Sequence, residues 1–222
     1  ELPRPVIAEK PAVSIIIPFK NKHEYVERCV DSIEQRSTYE NYEIVLVNNA
    51  SDDPLTLEYL QSKEGSGHIR RLDYDHPFNY SLINNYAIER TESPYILLLN
   101  NDTEVLTPRW IEEMLAHALR PEVGAVGARL DYPDGSVQHA GVVFDVGETY
   151  PAGHIFHRES EHSNGYEKRL VTVQQYSAVT AACMMMRREV FTEAAGFDAG
   201  FEVAYNDLDL CCRLGSRGYR VL

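Results

Sequence analysis

No apolar run in this chain reaches the roughly 18 to 20 residues that a membrane span requires, and no signal-peptide pattern opens it. Cysteine is scarce. Cys29, Cys183, Cys211 and Cys212 form neither a disulfide framework nor the paired CxxC of a structural zinc site, so a reducing, cytoplasmic compartment is the default. Basic residues are outnumbered: 21 Lys and Arg against 34 Asp and Glu give a formal net charge of −13. Without a dense Lys/Arg cluster, a nucleic-acid backbone is excluded as a partner. An anionic substrate stays compatible with this balance if a divalent cation stands between its charge and the protein's carboxylates. Glycine signatures are missing too. GxGxxG after the first strand and GxxxxGK[ST] are both absent, which excludes dinucleotide and P-loop sites, and the absence of GxSxG argues against an α/β-hydrolase.

What is present is an ordinary globular composition, 44% hydrophobic and 25% charged over 222 residues, enough for one α/β domain with a substantial core. Neither end looks native. The chain starts at Glu1, and Gly218 to Leu222 reads as the start of a strand, so an excised piece of a longer protein is expected.

Short β-branched runs alternate with helical periodicity. Strands are predicted over residues 13–17, 43–47, 69–72, 95–99 and 123–128. Between them, helices are predicted from residue 24 (Tyr25, Val26, Cys29, Val30, Ile33), from about residue 54, over 81–90, and after Thr107-Pro108 as cap and first turn. Trp110, Ile111, Met114, Leu115 and Leu119 mark the buried stripe of that last helix. The second half is less regular: a turn at 131–135, a strand or hairpin arm over 137–144, a long loop over 150–167, a strand over 180–186, and helices over 188–195, stopped by Gly196, and 208–216. This alternation implies a doubly wound, mostly parallel sheet with helices on both faces.

In such sheets ligands bind beyond the carboxyl ends of the strands, where strand order reverses. That rule selects three polar clusters: Pro18, Phe19, Lys20 and Asn21; Asn48 to Asp53; and Asn100, Asn101 and Asp102. Amides and carboxylates there can read a nucleobase edge and ribose hydroxyls, and a carboxylate can hold a hard cation through oxygen. Each cluster also has a plainer reading. Asn49 and Asp52 suit a turn and helix N-cap, and Asp207 suits the first turn of a helix. His154, His157 and His162 fall in a loop that supplies nothing to fix metal geometry.

Taken in order, VSIIIPFKN (13–21), EIVLVNNASDD (43–53), YILLLNNDTEV (95–105), VTAACMMMRREVF (179–191) and GFDAGFEVAYNDLDLCCRLGSRGYRVL (196–222) closely resemble the family 2 glycosyltransferases of the GT-A fold. HPFNYSLINNYA (76–87) and GAVGARLDYPDGSVQHAGVVF (124–144) look like the branch that assembles bacterial O-antigen and rhamnan-type polysaccharides. The resemblance implies a single domain, with residues 1–122 holding the nucleotide sugar and 123–222 the acceptor. It implies that Pro18, Lys20 and Asn49 line the base and ribose pocket with Asp52 nearby, and that Asn85 faces the donor. Asn100-Asn101-Asp102 matches the DxD motif, making Asp102 the ligand of Mg²⁺ or Mn²⁺. Thr180 and Ala181 match the acceptor-side strand, and Asp207, from the family's acidic pair at Asn206-Asp207, is the implied general base. Two positions depart from the pattern: Asn48 and Asn100 stand where the family often has Asp.

The implied activity is inverting transfer from a UDP- or dTDP-linked sugar to a glycan or lipid-linked acceptor. The implied place is the cytoplasm, with peripheral association at the inner membrane face through the rest of the protein. Two competing readings are a sugar nucleotidyltransferase, which would carry a Gly-rich basic loop after its first strand, and a non-catalytic nucleotide-sugar-binding module.

Overall fold

The computed structural model describes residue 7, residues 10–145 and residues 152–222. The first half follows the alternation closely: β1 (Val13–Phe19), α1 (His23–Arg36), β2 (Tyr42–Asn48), α2 (Pro54–Lys63), β3 (Ile69–Asp73), α3 (Tyr80–Glu89), β4 (Tyr95–Leu99), α4 (Trp110–Ala118) and β5 (Val123–Gly127). Short elements follow: β6 (Leu130–Asp131), β7 (Val137–His139), β8 (Val142–Phe144), β9 (Ala152–His154) and a 3₁₀ turn at Tyr166–Lys168. The chain then returns to the sheet through β10 (Cys183–Arg187), α5 (Arg188–Glu193), α6 (Asn206–Ser216) and β11 (Arg220–Val221).

The central sheet has the order β11-β5-β10-β4-β1-β2-β3, parallel except for β10, which runs against both β4 and β5. The cause of that reversal is visible in the chain path. The excursion after β5 stays at the carboxyl end of the sheet, so β10 enters from that end, and Asn100 N donates to Ala182 O there at 3.0 Å. Strand alternation sends Ile15, Ile17 and Phe19 to one face and Ile16 to the other. α1, α2 and α4 cover the first face through Val30, Leu60 and Ile111; α3, α5 and α6 cover the second through Ile83, Phe191 and Leu210.

Several local expectations are corrected. Thr107 does not cap α4; it opens a turn in which Trp110 N donates to its carbonyl at 3.2 Å, and the helix starts at Trp110. Leu119 lies at the end of that helix and is 43% exposed, outside the buried stripe. Residues 137–144 are two strands broken at Gly141, whose φ of +119° and contact with the Tyr176 ring leave no room for a side chain. The expected loop over 150–167 contains β9, hydrogen-bonded to β8; residues 150 and 151 lie outside the described residues. Thr180 and Ala181 precede β10 instead of lying in it, because their N–H groups are taken by the side chains of His139 and Asp207. Gly196 does end the α5 segment, with φ +67° and its N–H on Phe191 O.

Candidate active site

Strand order reverses between β1 and β4, and a cavity of about 340 Å³ opens beyond their carboxyl ends. Pro18, Phe19 and Lys20 line it from β1, Asn49 from β2, and Asn100, Asn101 and Asp102 from β4. Thr180, Ala181 and Ala182 close it ahead of β10, with Asn206 and Asp207 from the start of α6. Phe78, Tyr80, Ile83 and Val203 complete the wall. A smaller cavity of about 250 Å³ between α2 and β3 gathers Lys63, Glu64, Arg70 and Arg71 but none of the strand-end amides.

The loops after β1 and β2 are stitched together by one side chain. Asn21, at φ 55°, accepts from Asp52 N and Asp53 N at 2.9 and 3.0 Å and donates to Asp52 Oδ1 at 2.8 Å. Asp52 is therefore held in the stitch at the exposed rim and does not line the cavity. Asn49, 3% exposed, donates from Nδ2 to Tyr74 O and His76 O at 2.9 and 2.8 Å. Its Oδ1 remains as an acceptor. Asn48 donates to Asp73 Oδ1 at 2.8 Å, a bond that an Asp at this position could make only by taking up a proton, since two carboxylates there would repel.

Asp207 sits in the first turn of α6, where the helix N-terminus favours an anion. Its two oxygens each accept one backbone N–H, Oδ2 from Ala181 at 3.1 Å and Oδ1 from Leu208 at 2.9 Å, which fixes the carboxylate plane and leaves lone pairs for a ligand. Asn206 Oδ1 accepts Asp207 N at 2.8 Å, so the orientation of its amide is determined and its Nδ2 points away from that bond. That Nδ2 is buried without a partner in a residue that is 4% exposed and lines the cavity. A donor stranded in this way calls for an oxygen from outside the protein. Tyr80 OH donates to Ala181 O at 3.3 Å, and burial pushes its pKa up, so it stays a donor.

Asn85 is placed elsewhere. Its Nδ2 donates to Phe197 O at 2.8 Å and its Oδ1 accepts Phe197 N at 3.0 Å, so the amide clamps the segment after α5 and does not line the cavity. Phe78 and Tyr80 are wall residues that reasoning from sequence did not single out for the site, and Asn206 entered it only as the neighbour of Asp207 in the matched pair. Only a polar or aromatic residue at a helix start could have flagged them, and that signal is common to every cap.

Among the described residues no three His, Cys, Asp or Glu side chains cluster as a metal cage, and no helix is long and apolar enough to cross a membrane. Asp102 is an exposed carboxylate beside two amides. Such a donor set suits a hard cation that takes most of its ligands from substrate phosphates and water, not a protein-only cage.

The fold, an open mixed sheet whose switch-point cavity is lined by the carboxylates of Asp102 and Asp207, is GT-A. The family model "Glycosyl transferase family 2" matches residues 14–194, and the chain belongs to that family. It is 43% identical over 214 residues to the O-antigen biosynthesis protein RfbC of Myxococcus xanthus, covering 96% of this chain and 16% of that protein. It is 44% identical over 211 residues to the uncharacterized protein y4gI of Sinorhizobium fredii, covering 94% and 23%. The chain thus spans less than a quarter of either relative's length. The fold is similar to mannosyltransferase PcManGT from Pyrobaculum calidifontis, solved with GDP-Man and Mn²⁺ (TM-score 0.71, 16% identity, 97% of this chain and 55% of that one). It is also similar to GalNAc-T7, solved with UDP, GalNAc and Mn²⁺ (TM-score 0.78, 16% identity, 97% and 42%).

Proposed function

We propose that this domain is an inverting glycosyltransferase that moves a sugar from a UDP- or dTDP-linked donor to a glycan or lipid-linked acceptor in bacterial cell-surface polysaccharide synthesis. The observation that carries this reading is the fixed carboxylate of Asp207 beside the stranded Nδ2 of Asn206, facing the same cavity as Asp102. The similarity to RfbC supports the polysaccharide branch. The work takes place in the cytoplasm, at the inner face of the membrane, where the longer protein would carry the domain.

In this reading Asn49 Oδ1 and Lys20 hold the nucleoside and its phosphates, and Asp102, with Asn100 and Asn101, faces Mg²⁺ or Mn²⁺ on the diphosphate. A cation held there would supply neutralisation of the charge that grows on the departing diphosphate. Asp207 takes the proton of the acceptor hydroxyl as that oxygen bonds to the anomeric carbon, a contribution of about 10²–10⁴-fold. Asn206 Nδ2 donates to an oxygen of the sugar, which satisfies the buried amide. Thr180 and Ala181 form the acceptor wall.

The test is Asp207→Asn. Transfer and donor hydrolysis should both fall by about 10²-fold or more while nucleotide affinity stays within about twofold. Undiminished turnover would remove Asp207 from the role. A parent chain that binds donor but never hydrolyses it would point to a non-catalytic binding module.

A further inference from the structure

His139 is 1% exposed, stands beside the cavity and takes no part in the chemistry above. Its surroundings determine where its proton sits. Thr180 N–H donates to its Nε2 at 3.4 Å, so that nitrogen carries a lone pair. Burial keeps the ring neutral, pushing its pKa down to about 3, and a neutral ring with Nε2 as acceptor has its proton on Nδ1. Nδ1 lies 2.9 Å from Nδ1 of His154. His139 is therefore the donor of that bond, His154 Nδ1 the acceptor, and His154 keeps its own proton on Nε2.

His154 ends β9, is exposed, and lies near enough to Asp207 to feel its charge. Two consecutive N–H groups, those of Thr180 and Ala181, go to His139 and to Asp207. One dipeptide therefore sets both the imidazole pair and the carboxylate. His157 stands on the far side of His154, with ring centroids 6.3 Å apart, and engages Tyr132 OH at 3.3 Å.

We propose that His154 binds a hydroxyl of the acceptor sugar, donating from Nε2 beside Asp207, and that His139 is the positioning residue that fixes its tautomer. The proposal rests on the reading of Asp207 as base. The acceptor chemistry is a polyhydroxylated ring with a second hydroxyl close to the attacking one. A neutral Nε2–H suits that task, because it has no lone pair with which to compete for the proton that Asp207 takes.

Two measurements on the 222-residue chain test this. Long-range nitrogen–proton correlation NMR reads which ring nitrogen of each histidine is protonated. His139 should show Nδ1–H and His154 Nε2–H; the opposite tautomer at either residue overturns the proposal. The second measurement compares His154→Gln, which retains an outward N–H, with His154→Asn, which pairs with His139 but reaches no further. The acceptor probes are p-nitrophenyl glycosides of glucose, galactose, mannose and rhamnose, supplied with UDP- and dTDP-sugars and Mn²⁺. His154→Asn should raise the acceptor KM roughly fivefold to tenfold, about the worth of one hydrogen bond, and His154→Gln should restore it. Donor hydrolysis to water should change less than the acceptor KM in His154→Asn. Equal behaviour of the two variants, or an unchanged KM, overturns the role of His154. Asp207→Asn run in parallel keeps the two readings apart, since it should abolish hydrolysis as well as transfer.

Discussion

Asp102 is the exposed carboxylate on the β4 side of the cavity, with only amides as its neighbours in the motif. Mg²⁺ and Mn²⁺ bound through one carboxylate depend on substrate phosphates for much of their coordination, so cation and nucleotide should bind together. Asp102→Ala should leave cation-free nucleotide affinity nearly unchanged and remove most of the gain that Mn²⁺ brings. Calorimetry of UDP binding with and without Mn²⁺ reads this directly, and an equal gain in parent and variant would remove Asp102 from the metal site. His139 makes a different kind of statement. Its pKa is about 3 in the fold and 6.5 in the unfolded chain. Between those values the unfolded chain binds a proton that the fold refuses, so stability present above pH 6.5 is lost as pH falls toward 3, with a slope from this residue of up to about 1.4 kcal/mol per pH unit. His154, also shifted downward by burial, acts in the same direction. Urea unfolding at about pH 7 and about pH 5 should show a smaller loss for His139→Gln than for the parent. Equal losses would mean that the ring is charged in the fold.

At the scale of elements, α3 shows how a capping residue also shapes the site. Asn79 Oδ1 accepts Leu82 N at 2.9 Å, while its Nδ2 donates to Ala199 O at 2.9 Å, tying the start of α3 to the segment after α5. Its neighbours Phe78 and Tyr80 both line the cavity. Asn79→Ala should cost about 2 kcal/mol, the cap plus a stranded carbonyl, and Asn79→Asp should recover about half by keeping the cap alone. Urea melts of the two variants check it: identical losses would mean that the cap contributes nothing, and no loss in Asn79→Asp would mean that the Ala199 bond contributes nothing. Residues such as Val45, Leu97 and Ile111 made the first half of the fold legible, since periodicities of 2 and 3.6 are local properties of sequence. The segment from Leu130 to Ala182 was not legible in the same way. Its strands are only two or three residues long, β6 paired with β7 across a register shift and β8 with β9 beyond Gly141, and elements that short leave little periodic pattern. Among site residues, Pro18, Lys20, Asn49, Asn100, Asn101, Asp102, Thr180, Ala181 and Asp207 meet at one cavity. Asn85 and Asp52 do not, because both spend their polar atoms on neighbouring segments, and partners of that kind exist only once the chain has folded.

The whole molecule carries a formal charge of −13, and its candidate donor carries a diphosphate, so their long-range interaction is repulsive. Among the described residues Lys20 is the one basic side chain on the cavity wall, against Asp102 and Asp207. A divalent cation reverses that local balance, and occupancy of the cavity joins the β1, β2 and β4 loops to the α6 start that lies across the sheet. Ligand binding to the folded state alone adds about 2.7 kcal/mol at a ligand concentration of about 100 times Kd, or roughly 5–10 °C in Tm for a domain of this size. Thermal unfolding with a set of UDP- and dTDP-sugars should show that shift with Mn²⁺ or Mg²⁺ and lose most of it in EDTA. A shift that persists in EDTA would mean that the amides and Lys20 bind the donor unaided, with Asp102 a bystander. No shift with any member of the set, in a chain that melts cooperatively, would rule out the UDP- and dTDP-linked donor class for this cavity.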